Sequence, residues 1–184
     1  DMLSNAGVPF TAMRPRIDEA EIKAALLAEG APARDIADTL ADMKARSISI
    51  VEPDKLVLGS DQVVVRDSKL FSKASTRGDA VATLKALSGG IHELISAAVI
   101  YEAGQPVWRT VDSVKMTMRP LDDGFIEQYL DAIGDAAFWS AGAYQLEGLG
   151  AQLFTRVDGD YFTVLGLPLL PVLDYLRRRE VIAL

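Results

Sequence analysis

Leu56-Val57-Leu58-Gly59-Ser60-Asp61-Gln62-Val63-Val64-Val65 is the stretch whose reading decides the fold. Apolar residues on both sides of a short polar insert read as one buried strand. Gly59 within it marks a place where a ligand or a second piece of backbone comes close. Asp61 brings a carboxylate into apolar surroundings, where a charge needs a cation, a metal or a hydrogen-bond partner. A turn or strand-end aspartate is the plainer reading. The rest of the chain favours a carboxylate held at the mouth of a cleft.

Upstream of this strand, residues 1–7 read as the tail of a helix closed by Gly7. Residues 8–13 suit a strand, and Asp18 opens a helix that runs to about Glu29 and stops at Gly30. A second helix follows Pro32, with Ile36, Leu40 and Met43 at helical spacing. Lys44 lies four residues after Leu40, so it projects beside that apolar stripe, either snorkelling to water or reaching along the core edge. Downstream, Arg66-Asp67-Ser68 is a turn and residues 69–73 return as a short strand. Thr76-Arg77-Gly78-Asp79 reads as a capping box with Asp in place of Glu. Residues 91–101 and 107–119 are two strands joined around Ala103-Gly104-Gln105, and Asp122 or Asp123 caps a helix that Gly134 closes. A strand over 152–157 and a last helix ending at Arg177-Arg178-Arg179 complete the chain; those arginines suit the negative end of the helix dipole. Strands and helices mix irregularly with at least one hairpin. This predicts a mixed-sheet α/β or α+β fold rather than a strict parallel array.

Composition sets limits on chemistry. The 184 residues are 49% apolar, enough for one cored domain or two closely packed lobes. Cysteine is absent and His92 is the single histidine, which excludes thiolate chemistry and multi-histidine zinc sites. His92, beside Glu93, reads as a satisfied structural histidine. The formal charge of −7 with no long basic run argues against a nucleic-acid partner. No apolar stretch reaches membrane-span length and no secretory leader is visible, so a cytoplasmic protein is expected. Neither a GxGxxG after a strand nor a GxxxxGK[ST] occurs, so Rossmann and P-loop readings fail. Trp108 and Trp139 are expected to be packing residues.

Three segments in order resemble the Maf family of septum-formation-inhibitor-like nucleoside triphosphate pyrophosphatases. They are Gly59-Ser60-Asp61-Gln62-Val63; Ala141-Gly142-Ala143-Tyr144 with Glu147-Gly148-Leu149-Gly150; and Asp158-Gly159-Asp160-Tyr161 with Val164-Leu165-Gly166-Leu167-Pro168. Ile17-Asp18-Glu19, Met43-Lys44-Ala45 and Ser72-Lys73 fall where the family has a carboxylate and two lysines. The resemblance covers almost the whole chain, 1–184, as a single domain. It implies an elongated mixed sheet flanked by helices, with two lobes around a cleft, akin to the inosine-triphosphatase-like fold. It also implies hydrolysis of a nucleoside triphosphate between the α and β phosphates with a divalent cation, Mg or Mn, and a homodimer is compatible with it.

Carried over residue by residue, the resemblance implies Asp61 as the proton acceptor, Glu19 and Asp61 as metal ligands, and Lys44 and Lys73 as phosphate contacts. Gln62 and Glu147 stand at the base-selecting positions, and the pair resembles the branch acting on 7-methyl-GTP. A carboxylate such as Glu147 would favour the positive ring of a methylated guanine. Tyr144 either stacks on the base or is plain core. Two departures stand out. The family's opening strand and its serine- and arginine-rich phosphate loop have no counterpart here and are expected upstream. The usual glycine-lysine-proline appears as Ser72-Lys73-Ala74. The rival reading is a nucleotide-sensing or division-regulating binding protein that does not turn over.

Overall fold

The computed structural model describes residues 2–183. The Leu56–Val65 run forms the core of strand β1 (Leu56–Arg66), and a tight turn through Asp67 and Ser68 leads to β2 (Lys69–Phe71). Two long strands follow, β3 (Ile91–Glu102) and β4 (Gln105–Met118), and then the short β5 (Phe154–Asp158). They form one sheet in the order β2-β1-β3-β4-β5. β2 pairs antiparallel with β1, and β5 pairs antiparallel with β4 with Met116 opposite Val157. Only Ala103 and Gly104 separate β3 from β4, a link short enough for an antiparallel hairpin alone. The expected α/β class therefore holds, with an antiparallel sheet flanked by helices.

The chain divides into two compact units. The first comprises residues 1–62, 96–112 and 161–184. It holds helices α1 (Met2–Asn5), α2 (Glu19–Ala28) and α3 (Ala33–Ser49). It also holds the short α6 (Tyr161–Val164) and the closing α7 (Leu169–Arg178). Its core gathers Val8, Ala98, Ile100, Leu167, Val172, Tyr175 and Leu176. Trp108 stacks on Tyr175 with ring centroids 5.3 Å apart, as a packing residue should. α3 buries Ile36, Leu40, Ala41, Ala45 and Ile48; of the three residues its spacing marked, Ile36 and Leu40 are buried and Met43 is only half-buried.

The second unit comprises residues 63–95 and 113–160, with helices α4 (Arg77–Leu87) and α5 (Asp123–Ile133). The Thr76–Asp79 capping box forms in full, and Asp122 rather than Asp123 caps α5 by accepting from the Phe125 amide. Leu84, Leu87, Met116, Met118, Ile126 and Leu153 are fully buried here.

Three sequence expectations need correction. Residues 8–13 form no strand: Val8 is buried, but Phe10 and Met13 are half exposed. Pro9 lacks the amide that a ladder needs, and a single buried residue gives the segment little reason to pair. The strand expected from Gln152 starts at Phe154, because Leu149–Leu153 coil into a short 3₁₀ turn first. Trp139 is 68% exposed and so is not a core residue. No described helix is long and apolar enough to cross a membrane.

Candidate active site

Alternation along β1 sends successive side chains to opposite faces. Gly59 and Asp61 share the face that meets α3. A Cβ on Gly59 would stand 2.6 Å from the Ala45 amide nitrogen and nearer still to the Ala41 carbonyl. The glycine is therefore where helix backbone and strand backbone come into contact, one of the two alternatives its position in the sequence offered. One residue before Ala45 on the same helix, Lys44 reaches back to the strand.

The Lys44 ammonium donates to Asp61 Oδ1 at 2.7 Å and lies 3.1 Å from Glu19 Oε2. Lys44 and Asp61 are largely buried, with side chains 19% and 11% exposed, whereas Glu19 is half in solvent. Glu19 is the first residue of α2, directly after its cap Asp18, whose side chain accepts from the Glu21 amide. The cap sets where the helix begins and so where Glu19 points. Lys23, one turn along from Glu19, is close enough to Asp61 for their charges to interact. Sequence reading passed over Lys23, although the four-residue spacing from Glu19 places both on one helix face.

Burial pushes the Asp61 carboxyl above the usual aspartate range, against the hydrogen bond and charge of Lys44, while the charge of Glu19 adds to the rise. For Lys44, burial works to lower the ammonium, but the hydrogen bonds and charges of Asp61 and Glu19 together hold it above the ordinary lysine value. Burial lowers Lys23, partly offset by the charge of Asp61. The cluster thus holds a permanently charged ammonium beside a carboxylate made more basic by its surroundings. No group of three or more His, Asp or Glu able to hold a metal occurs among the described residues. Glu19 and Asp61 are the pair of hard oxygen donors that converge on one point, now taken by the Lys44 ammonium.

Ser60 and Gln62 use the other face of β1. The Ser60 hydroxyl is shared between the carbonyls of Ala97 (2.9 Å) and Gly166 (2.8 Å). The Gln62 amide nitrogen donates to Ser96 Oγ (3.0 Å) and to the carbonyls of Thr163 (2.9 Å) and Val164 (3.0 Å). Two flanking carbonyls fix which end of the amide is nitrogen, since only a donor can face them. Ser96 Oγ donates to the Thr163 carbonyl at 2.8 Å, and Thr163 Oγ1 to Asp112 at 2.9 Å. Gln62, placed by resemblance at a base-selecting position, thus has its donors committed inside the first unit. Ser96 and Thr163 went unnoticed in the sequence, although Thr163 lies between the two quoted pieces of one motif.

The structure brings Glu19, Lys44 and Asp61 together in the first unit. Lys73 and Glu147 belong to the second unit, both exposed: Lys73 just after β2, and Glu147 in the turn that precedes the 3₁₀ segment. Tyr144 takes the core alternative, buried against Phe154 with its hydroxyl 2.6 Å from His92 Nε2. His92 is buried on β3 as a structural residue, but only half satisfied, since its Nδ1 lacks a hydrogen-bond partner among the described residues.

Curated relatives align along nearly the whole chain. A protein of Ruegeria pomeroyi named nucleoside triphosphate pyrophosphatase is 52% identical over 98% of this chain and 91% of its own length. One of the same name from Roseobacter denitrificans is 53% identical over 97% of this chain and 89% of its own. A Rhizobium meliloti protein named 7-methyl-GTP pyrophosphatase is 46% identical over 96% and 88%. The family model described as Maf-like protein matches residues 1–179. With a match of that extent, the chain belongs to the Maf-like protein family.

Proposed function

We propose that this protein hydrolyses a nucleoside triphosphate to the monophosphate and pyrophosphate. The observation that carries the reading is the convergence of Asp61 and Glu19 on the Lys44 ammonium, in a family whose relatives carry the pyrophosphatase name. Cleaving a phosphoanhydride is chiefly a matter of positioning and of neutralising charge. Asp61, more basic than an exposed aspartate, takes the proton of the attacking water. The water oxygen bonds to the α phosphorus, the bridge to the β phosphate breaks, and pyrophosphate leaves with the bonding electrons. Lys44 supplies a positive charge near the carboxylate and, with the exposed Lys73, is assigned to the phosphates.

Two carboxylates facing one point fit a hard divalent cation such as Mg or Mn, which prefers one or two carboxylates together with substrate oxygens. Glu19 and Asp61 would hold it once the Lys44 ammonium, which sits between them, turns to the phosphates, and the cation would then offset phosphate charge and lower the pKa of bound water. We assign base selection to Glu147, whose exposed carboxylate suits a cationic, methylated guanine, and 7-methyl-GTP is accordingly the favoured substrate in a cytoplasmic nucleotide pool. The name of the Rhizobium meliloti relative supports that choice.

The test measures pyrophosphate release with Mg or Mn from 7-methyl-GTP, GTP, dTTP and UTP. Equimolar monophosphate and pyrophosphate are expected, with 7-methyl-GTP cleaved fastest. Asp61→Asn should lower kcat by about 10²–10⁴-fold, the range for loss of a general base, and leave nucleotide binding in place. A preference for the pyrimidines overturns the substrate choice. Binding of nucleotides with no pyrophosphate released by the unaltered protein overturns the enzyme reading in favour of a sensor or division regulator.

A further inference from the structure

We infer that Gln145 and Ser140 are positioning residues that pin the turn carrying Glu147, and that they set base selection by fixing where its carboxylate stands. The inference rests on the assignment of base selection to Glu147 and deepens it. Glu147 is exposed on a four-residue turn, closed by the Gly148 amide donating to the Gln145 carbonyl at 3.2 Å. A carboxylate on an exposed turn is held in place only as well as the base of the turn is. Here the base is Gln145, and it is fixed from three directions. Its side-chain amide donates to the Ala136 carbonyl at 2.7 Å, which ties it to the 3₁₀ turn Gly134–Phe138. Its backbone lies against Gly150 so closely that a Cβ there would stand 2.9 Å from the Gln145 nitrogen and nearer still to its carbonyl oxygen. Its neighbour Tyr144 is buried, with the hydroxyl on His92 and the ring edge-on to Phe154.

Ser140 completes the frame. Its hydroxyl accepts from the Tyr144 amide at 3.1 Å and donates to the Tyr144 carbonyl at 2.7 Å. Within that loop Ala143 sits at φ +58°, a left-handed conformation that a residue with a Cβ keeps only where its surroundings compel it. The Tyr129 hydroxyl donates to the Ala143 carbonyl at 3.3 Å and helps to hold it there. No step of the hydrolysis calls on any of these groups. Gln145 lies between the two quoted pieces of the second motif, and it joins the strained loop to the turn that presents the carboxylate.

Gln145→Met keeps the length of the side chain and removes the donor. The readout is the preference for 7-methyl-GTP over GTP, taken from kcat/KM and, without divalent cation, from Kd by calorimetry. In Gln145→Met that preference should fall about tenfold, as when one charged contact loses its alignment. Glu147→Gln should lower it at least as far. Adding Gln145→Met to Glu147→Gln should change it by less than about twofold, because a residue that acts through Glu147 has nothing left to act through. Thermal melting checks that the variants fold. If Gln145→Met does not, Ser140→Ala in the same two backgrounds should show the same pattern. An unchanged preference in Gln145→Met, or a fall of equal size with and without the Glu147 carboxylate, overturns the inference. An unchanged preference in Glu147→Gln overturns the base-selection assignment and the inference with it. A protein that binds both nucleotides yet releases no pyrophosphate overturns the activity alone, since the Kd ratios still decide the inference.

Discussion

His92 shows what a single residue contributes beyond the site. Burial, with a further contribution from the charge of Arg66, pushes its imidazole down from 6.5 to about 4, so the folded protein holds it neutral. The unfolded chain binds that proton more readily, and stability is therefore complete above pH 6.5 and lost as pH falls towards 4. Across that window the loss should be of the order of 3 kcal/mol. Urea unfolding of the native protein and of His92→Phe at pH 7 and pH 5 checks this, and the variant should lose less stability on acidification. The sequence reading placed His92 in the fold rather than the chemistry, and the structure agrees, with the hydroxyl of Tyr144 as its partner. That partner was not legible, because residues 92 and 144 are distant in sequence and nothing local ties them together.

At the scale of elements, the close approach of β1 to α3 governs both packing and chemistry. The same contact that needs a bare Gly59 brings Lys44 within 2.7 Å of Asp61. Gly59→Ala would drive a methyl group into helix backbone, which cannot yield as a flexible side chain does. The helix must shift, at a cost of about 1–3 kcal/mol or more, and Lys44 shifts with it. Chemical denaturation should show the lost stability, and pyrophosphate release should fall by a larger factor than the loss of folded protein explains. Local signals served well for the caps: Asp18, Thr76 and Asp122 each accept the amide their spacing predicts. They served poorly at residues 8–13, where apolar composition alone suggested a strand and Pro9 and solvent decided otherwise.

For the whole molecule, the formal charge of −7 and a pI near 4.7 keep copies apart at neutral pH and remove that repulsion under mild acid. Light scattering should therefore rise to a maximum near pH 4.7 and fall again above pH 6. Over the chain as a whole, the sequence by itself determined the order and type of the main elements, the α/β class and the family. Those follow from periodicity, capping residues and motif order, which are local or nearly local properties. Through the resemblance it also marked Asp61, Glu19 and Lys44 as parts of one site, but not how their side chains pair. Only the tertiary structure put both carboxylates on one ammonium and sent Asp61 and Gln62 to opposite faces of a strand. The physical reason is that strand pairing and helix packing, not sequence neighbourhood, choose which buried polar groups must satisfy one another.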